Sequence, residues 1–338
     1  MKEFSQPITK FICIIIIMSF GFISCNKKEE SPKPETPFSL KSQVNAPQFS
    51  GKNVYQQVEK QLSFGPRNPG SAGHQQALYY LTNEMKKYAD TIQLQNFNFT
   101  GYDNQELSLT NVIARFNPSA KHRIFFCAHW DTRPRGEHDK DPNKRNLPIP
   151  GANDGGSGVG VLLELARILK EHPVNYGIDL ILLDGEDYGK EGSLDYYFLG
   201  SKYFAAQNAA DYKPAFGILL DLVGDKEAVF NKEGFSMLFA PDIVNMVWSI
   251  ARKVNATAFN EGEGNRIEDD HVPLNQAGIT TIDIIDIDLV GADTPVERRN
   301  YWHSQKDNME NISESTLQQV GNVLTYLIYS LDFNKPVA

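Results

Sequence analysis

Ile124-Phe125-Phe126-Cys127-Ala128, running straight into His129-Trp130-Asp131, is the stretch on which the fold turns. An unbroken apolar run of this length reads as a strand buried on both faces, as in a parallel sheet covered by helices. Working outward, the pattern recurs. Ile178 to Leu183 is the next buried strand and runs into Asp184-Gly185-Glu186-Asp187; Phe216 to Leu220 is a third and runs into Asp221; Ile279 to Ile285 is a further strand. Helical spacing fills the intervals, over Gly158 to Lys170, Leu199 to Asn208 and Ile243 to Val254, and a closing helix covers Thr316 to Leu331. Upstream, Asn53 to Leu62 and Ala72 to Tyr88 are helical, with Ser71 as N-cap of the second. Thr91 to Phe99 and Leu107 to Phe116 alternate as antiparallel strands. The expected architecture is α/β, a single globular domain over 49–338 with a mixed central β-sheet and helices on both faces.

The head of the chain carries a different message. Lys2 and Lys10 precede an apolar run from Phe11 to Ile23, too short for a comfortable membrane span and suited to a signal peptide over 1–24. Phe22-Ile23-Ser24-Cys25 resembles a bacterial lipobox, which makes Cys25 the expected lipid-bearing N-terminus. Residues 25–48, rich in Lys, Glu, Ser and Pro, are expected to form a flexible tether. An exported lipoprotein follows, facing the periplasm or carried on the cell surface at the outer membrane. The net charge of −9 argues against nucleic acid as a partner, because phosphate binding needs a basic surface. Of the three cysteines only Cys127 lies beyond the leader and anchor, so no internal disulfide is expected.

The chemistry collects at strand ends. His129, Glu186, Asp187 and Asp221 all follow apolar strands, where open α/β sheets bind their ligands. Acids gathered there repel one another unless a cation sits among them. Gly151-Ala152-Asn153-Asp154-Gly155-Gly156 puts Asp154 near a helix N-terminus, and Tyr301-Trp302-His303-Ser304 supplies an imidazole before the last helix. Taken singly, Asp154 is better read as a cap and His303 as a solvated loop residue; together they describe a zinc set of Asp154, Asp187 and His303, with Glu186 placed for proton transfer. HExxH and CxxC are absent. Gly65 to Ser71 lacks the lysine of a phosphate loop, and Gly155 to Val159 misses the last glycine of a nucleophile elbow.

The series Gly65-Pro66-Arg67, Ala128-His129-Trp130-Asp131, Gly151-Ala152-Asn153-Asp154, Asp184-Gly185-Glu186-Asp187, Asp221-Leu222-Val223-Gly224, Asp269-Asp270-His271-Val272-Pro273 and Trp302-His303 resembles the glutaminyl cyclases. These share a superfamily and a zinc exopeptidase-like fold with the two-zinc aminopeptidases. The resemblance implies one zinc on Asp154, Asp187 and His303, Glu186 as proton shuttle, Asp269 and Asp221 as an acidic network behind it, and Trp302 as a wall of the substrate pocket. It implies peptide or protein N-termini bearing Gln as substrates. Animal cyclases carry Glu where this chain has Asp187.

Two rivals remain at this stage. His129, Asp154, Asp187, Asp221 and His303 complete the ligand set of a two-zinc aminopeptidase, with His129 and Asp221 serving a second metal. Trp302, Asp269 and the tract Arg266 to Asp270 favour the cyclase. A non-catalytic binding lipoprotein on the same scaffold is the third reading, and relatives of that kind usually lose metal ligands that this chain keeps. Asp283 and His271 have no assigned role; Asp131 either orients His129 or caps its strand. Trp130 is expected in the core, and His122, His138 and His172 at the surface.

Overall fold

The structure, a computed structural model, describes residues 37–190, 192–208 and 210–334. The leader, Cys25 and the first part of the tether lie outside these residues. The chain begins with β1 (Ser39–Leu40), α1 (Gly51–Leu62) and α2 (Ala72–Tyr88), then turns through the hairpin β2 (Thr91–Thr100) and β3 (Glu106–Phe116). The βα rhythm follows as β4 (Arg123–His129), α3 (Gly156–Glu171), β5 (Gly177–Leu183), α4 (Leu199–Asn208) and β6 (Gly217–Asp221). Next come β7 (Phe230–Lys232), α5 (Gly234–Phe239), α6 (Pro241–Lys253), β8 (Phe259–Glu263), α7 (His271–Gln276) and β9 (Thr281–Ile285). The described chain closes with α8 (Glu314–Ser330) and β10 (Leu331–Asp332).

Six strands form the central sheet in the order β2-β3-β5-β4-β6-β9. β2 and β3 are antiparallel to their neighbours; β5, β4, β6 and β9 run parallel. β4 shows why its run had to be apolar throughout. Ile124, Phe126 and Ala128 point into the larger core, with α1, α2, α3, α6 and α8, whereas Phe125 and Cys127 point into a second core with Phe204 of α4 and Leu274 of α7. Successive strand residues face opposite sides, so a sheet covered twice needs both sets apolar. Each fully buried side chain of this kind contributes roughly 1.5–3 kcal/mol.

The expected mixed sheet with helices on both faces is what the chain forms. The packed chain starts earlier than Phe49, however. Phe38 is buried against Phe216 and Phe333, and β1 pairs with β10, so the end of the expected tether is part of the fold. Aromatic burial at Phe38 is the physical reason, and it sits in a stretch otherwise polar enough to mask it.

Candidate active site

Because β4, β5, β6 and β9 are parallel, their carboxyl ends open on one edge of the sheet, and the loops that leave them meet there. The loop after β5 is pinned from two sides. Asp184 accepts hydrogen bonds from His74 Nε2 of α2 at 2.8 Å and from the Thr110 amide at 2.6 Å. Asp131, just past β4, accepts from the Glu186 amide at 3.1 Å and the Asp187 amide at 3.2 Å. Asp131 lies 3.6 Å from His129 Nδ1, so it fixes the acidic loop and stands beside the histidine at once. Trp130 is fully buried, stacked on His74 with its indole N–H donated to the Thr110 carbonyl, as a core residue would be.

Asp154 is delivered by the start of α3. Gly155, at φ +79°, makes the turn, and a Cβ there would crowd the His129 ring and the Asp131 carbonyl. Gly158 lets the helix lie directly on the sheet, since a side chain would collide with the Leu220 carbonyl. The amides of Asn153 and Asp154 are held by the two oxygens of Asp307, at 2.8 and 3.0 Å. Asp307 is a positioning carboxylate that sequence reading missed; burial and the neighbouring Asp154 push it up to about 8. His303 comes from the loop before α8 in a left-handed backbone conformation, φ +50°. A non-glycine residue there stores strain of about 1–3 kcal/mol, a cost that clusters at functional sites.

Asp154, Asp187 and His303 converge. Each offers one atom, all within 4.8 Å of one another, and all three side chains are buried. His303 Nε2 lies 3.6 Å from Asp154 Oδ2 and 3.4 Å from Asp187 Oδ1. Burial, with Arg133 and His138 nearby, holds the His303 imidazole well below its ordinary range and therefore neutral, the form that ligates. Burial pushes Asp187 well up, against Arg133 and with Asp154 adding to the rise. Asp187 Oδ2 is buried with no hydrogen-bond partner. Two carboxylates and a neutral imidazole crowded together, with one oxygen orphaned, fit a divalent cation of the zinc type.

His129 Nε2 stands 3.2 Å from Asp154 Oδ1 and 3.2 Å from Asp221 Oδ1, so the second expected set also comes together. Glu186 faces the same cavity. Burial raises its carboxyl well above the ordinary value, His129 opposes, and the Asp187, Asp269 and Asp270 carboxylates add to the rise. Asp269 is buried with Oδ2 unpartnered, and burial with Asp221 and Asp270 beside it drives its carboxyl well up. Behind it, Asp283 and His271 join the cluster: His271 Nδ1 is 3.7 Å from Asp283 Oδ2, and its Nε2 is 3.1 Å from Glu233 Oε2. The cavity measures about 280 Å³ and is walled by Trp302, Tyr197, Phe198, Ile267 and Ile285.

His172 is exposed and His122 half-buried against Phe333, but His138 is not a plain surface residue. Its ring lies 5.1 Å from Trp302 and 5.9 Å from His303, because its amide is donated to the His303 carbonyl. Arg133 was also missed: it is buried beside Asp187, and only its place four residues after His129 could have drawn attention to it.

The sequence model of peptidase family M28 matches residues 111–328. Aminopeptidase YwaD of Bacillus subtilis (strain 168) is 29% identical over 213 residues, covering 61% of this chain but only 40% of that relative's length. The glutaminyl-peptide cyclotransferase of Bos taurus is 23% identical over 296 residues, 78% of this chain and 77% of the relative. Among solved structures, Bacteroides thetaiotaomicron glutaminyl cyclase bound to N-acetylhistamine superposes with a TM-score of 0.80 at 39% identity, covering 84% of this chain and 99% of that one. The matched span runs through His129, Asp154, Asp187, Asp221 and His303, the residues whose side chains converge at the sheet edge, and on this ground the chain belongs to peptidase family M28.

Proposed function

We propose that this chain is a zinc-dependent glutaminyl-peptide cyclotransferase, closing N-terminal Gln of peptides and proteins to pyroglutamate with release of ammonia. The observation that carries the reading is the small cavity over Asp154, Asp187 and His303, walled by Trp302 and floored by Glu186 and Asp269. A cavity of about 280 Å³ suits one folded glutaminyl head group with the peptide leaving through the mouth. Likeness to the glutaminyl cyclase of Bacteroides thetaiotaomicron across nearly its whole length supports it further.

Zinc would be held by Asp154, Asp187 and His303, and when bound it supplies Lewis acidity toward the side-chain amide carbonyl of the substrate. The protein's own groups do the rest. Trp302 and the apolar wall keep the head group folded, so that the α-amine stands over the amide carbon and the reaction is intramolecular. The amine nitrogen forms a bond to that carbon as Glu186 accepts its proton. Glu186 then returns the proton to the amide nitrogen, the C–N bond breaks, and ammonia leaves. A carboxyl raised by burial holds an accepted proton better than an ordinary carboxylate does, as this two-way transfer needs. Asp269 and Asp221 line the same cavity as Glu186, and the Asp269 carboxylate adds to the rise of the Glu186 carboxyl.

A second reading, a two-zinc aminopeptidase, is favoured by one observation: His129, Asp154 and Asp221 also lie within ligand reach of a common point. One experiment separates the two. The zinc-loaded protein is offered a Gln-initiated and a Leu-initiated peptide, with metal counted in parallel. Ammonia from the first and an intact second support the cyclase; removal of Leu with two zincs per chain supports the aminopeptidase and rejects the cyclase.

The chain would act as an exported lipoprotein anchored through Cys25, as its leader suggests. Labelling with radioactive palmitate that persists in Cys25→Ala would reject this anchor.

A further inference from the structure

The structure assigns a positioning role to Glu137, which stands poised to hold His303 Nδ1 while the guanidinium of Arg133 holds Glu137 and Asp187 together. Nothing in the sequence singled out Glu137. The inference rests on zinc being bound by Asp154, Asp187 and His303, as proposed above.

Arg133 is 1% exposed and spends its donors on both sides of the site. Nη1 donates to Asp187 Oδ1 at 2.7 Å and to the Asp187 carbonyl at 3.1 Å. Nε donates to Glu137 Oε1 at 2.7 Å, Nη2 reaches the same oxygen, and Nη2 also donates to the Tyr197 hydroxyl at 2.8 Å. Two consequences follow. Asp187 Oδ1 takes an Arg133 donor, and its Oδ2 is buried and unpartnered. Glu137 Oε1 is likewise occupied, while Oε2 is buried and unpartnered.

His303 supplies the complement. Its Nε2 faces the Asp154 and Asp187 carboxylates, and its Nδ1 is buried, unpartnered, and 3.8 Å from the Glu137 carboxylate. The oxygen nearest Nδ1 is Oε1, which Arg133 already fills, so the unpartnered Oε2 of the same carboxylate turns toward the ring to make the hydrogen bond. A buried polar group without a partner is destabilising, and a shared hydrogen bond removes that penalty from both groups. With the Nδ1 proton donated to Glu137, the ring is locked in the tautomer whose Nε2 lone pair points at the metal. Carboxylates that hold ligating histidines in this way typically contribute roughly 10–100-fold in metal affinity.

The test compares zinc affinity by chelator competition in the full chain and in Glu137→Ala, Glu137→Met and Glu137→Gln. The Glu137 side chain is 21% exposed, and Met keeps its volume, so packing is retained while both oxygens go. Ala and Met are expected to weaken zinc binding roughly 10–100-fold. Gln, whose carbonyl still accepts, recovers much of the loss. Nitrogen-15 spectra of the zinc-loaded protein should place the His303 proton on Nδ1, exchanging with water faster in the Met variant. Zinc affinity in Glu137→Met within twofold of the unsubstituted protein overturns the assignment. The measurement reads metal binding alone: if the unsubstituted protein binds zinc tightly yet leaves Gln peptides unchanged, the proposed activity fails while the role of Glu137 is still decided.

Discussion

The indole of Trp302 lies against the imidazole of His303, ring centroids 3.4 Å apart and planes 20° from parallel. The residue that walls the cavity is therefore packed on a residue proposed to hold zinc, and His138 closes on both from outside. Trp302→Ala should raise KM for Gln-initiated peptides far more than it lowers kcat. Loss of a large apolar contact of about 1.5–3 kcal/mol corresponds to roughly a 10–200-fold fall in kcat/KM. Trp302→Phe should keep most of the activity, and steady-state ammonia release measures both.

Glu186→Gln removes the proton acceptor while leaving the backbone amide held by Asp131. Turnover should fall by about 10²–10⁴-fold or more with zinc content unchanged. Parallel zinc analysis and single-turnover kinetics check this, and undiminished turnover would exclude Glu186 as the shuttle.

Chelation should abolish activity and added zinc should restore it. A ligand that binds only the native state stabilises it, so the zinc-free protein should also unfold at a lower temperature. In Asp154→Ala the zinc-dependent rise in unfolding temperature should shrink or vanish, which calorimetry with and without zinc will register.

Glu233 governs an acid-side stability effect away from the ligand set. Burial works to raise its carboxyl, but His271 and the amides of Phe235 and Ile267 outweigh it, so the group lies down at about 2 against an ordinary 4.5. A carboxyl depressed in the folded state contributes stability that is full above pH 4.5 and is lost as pH falls toward 2. Glu233 also accepts from the Phe235 and Ser236 amides as the cap of α5. Glu233→Gln should therefore be less stable at pH 7 by about 0.5–2 kcal/mol and lose less than the parent between pH 5 and pH 2. Denaturant unfolding at the three pH values tests both statements.

The buried strands were readable because a sheet covered on both faces needs apolar residues at both sets of positions, and Ile124 to Ala128 of β4 obeys that rule without a break; β5 departs from it at Asp179, a buried carboxylate met by Tyr212, Arg115 and Arg123. The ionisable residues at their ends were readable for the converse reason: charge placed next to such runs needs a partner. α5 and α7 escaped because six residues are too few to display a helical period. The pairing of β1 with β10 escaped because two residues carry no alternation. Glu137, Arg133 and Asp307 were invisible for a different reason. Their roles arise from contacts made only after folding: Asp307 lies 153 residues along the chain from the Asp154 amide it holds. Asp283, left open by strand alternation, lies 3.7 Å from His271 and beside Asp269.

Cys127 points from β4 into the smaller of the two cores, and burial there pushes its thiol well above the ordinary range. A thiol in that state is neither nucleophilic nor within reach of a water-borne alkylating reagent. Its modification, followed on its own proteolytic peptide, would thus clock how often the middle of the sheet opens, with no engineered probe.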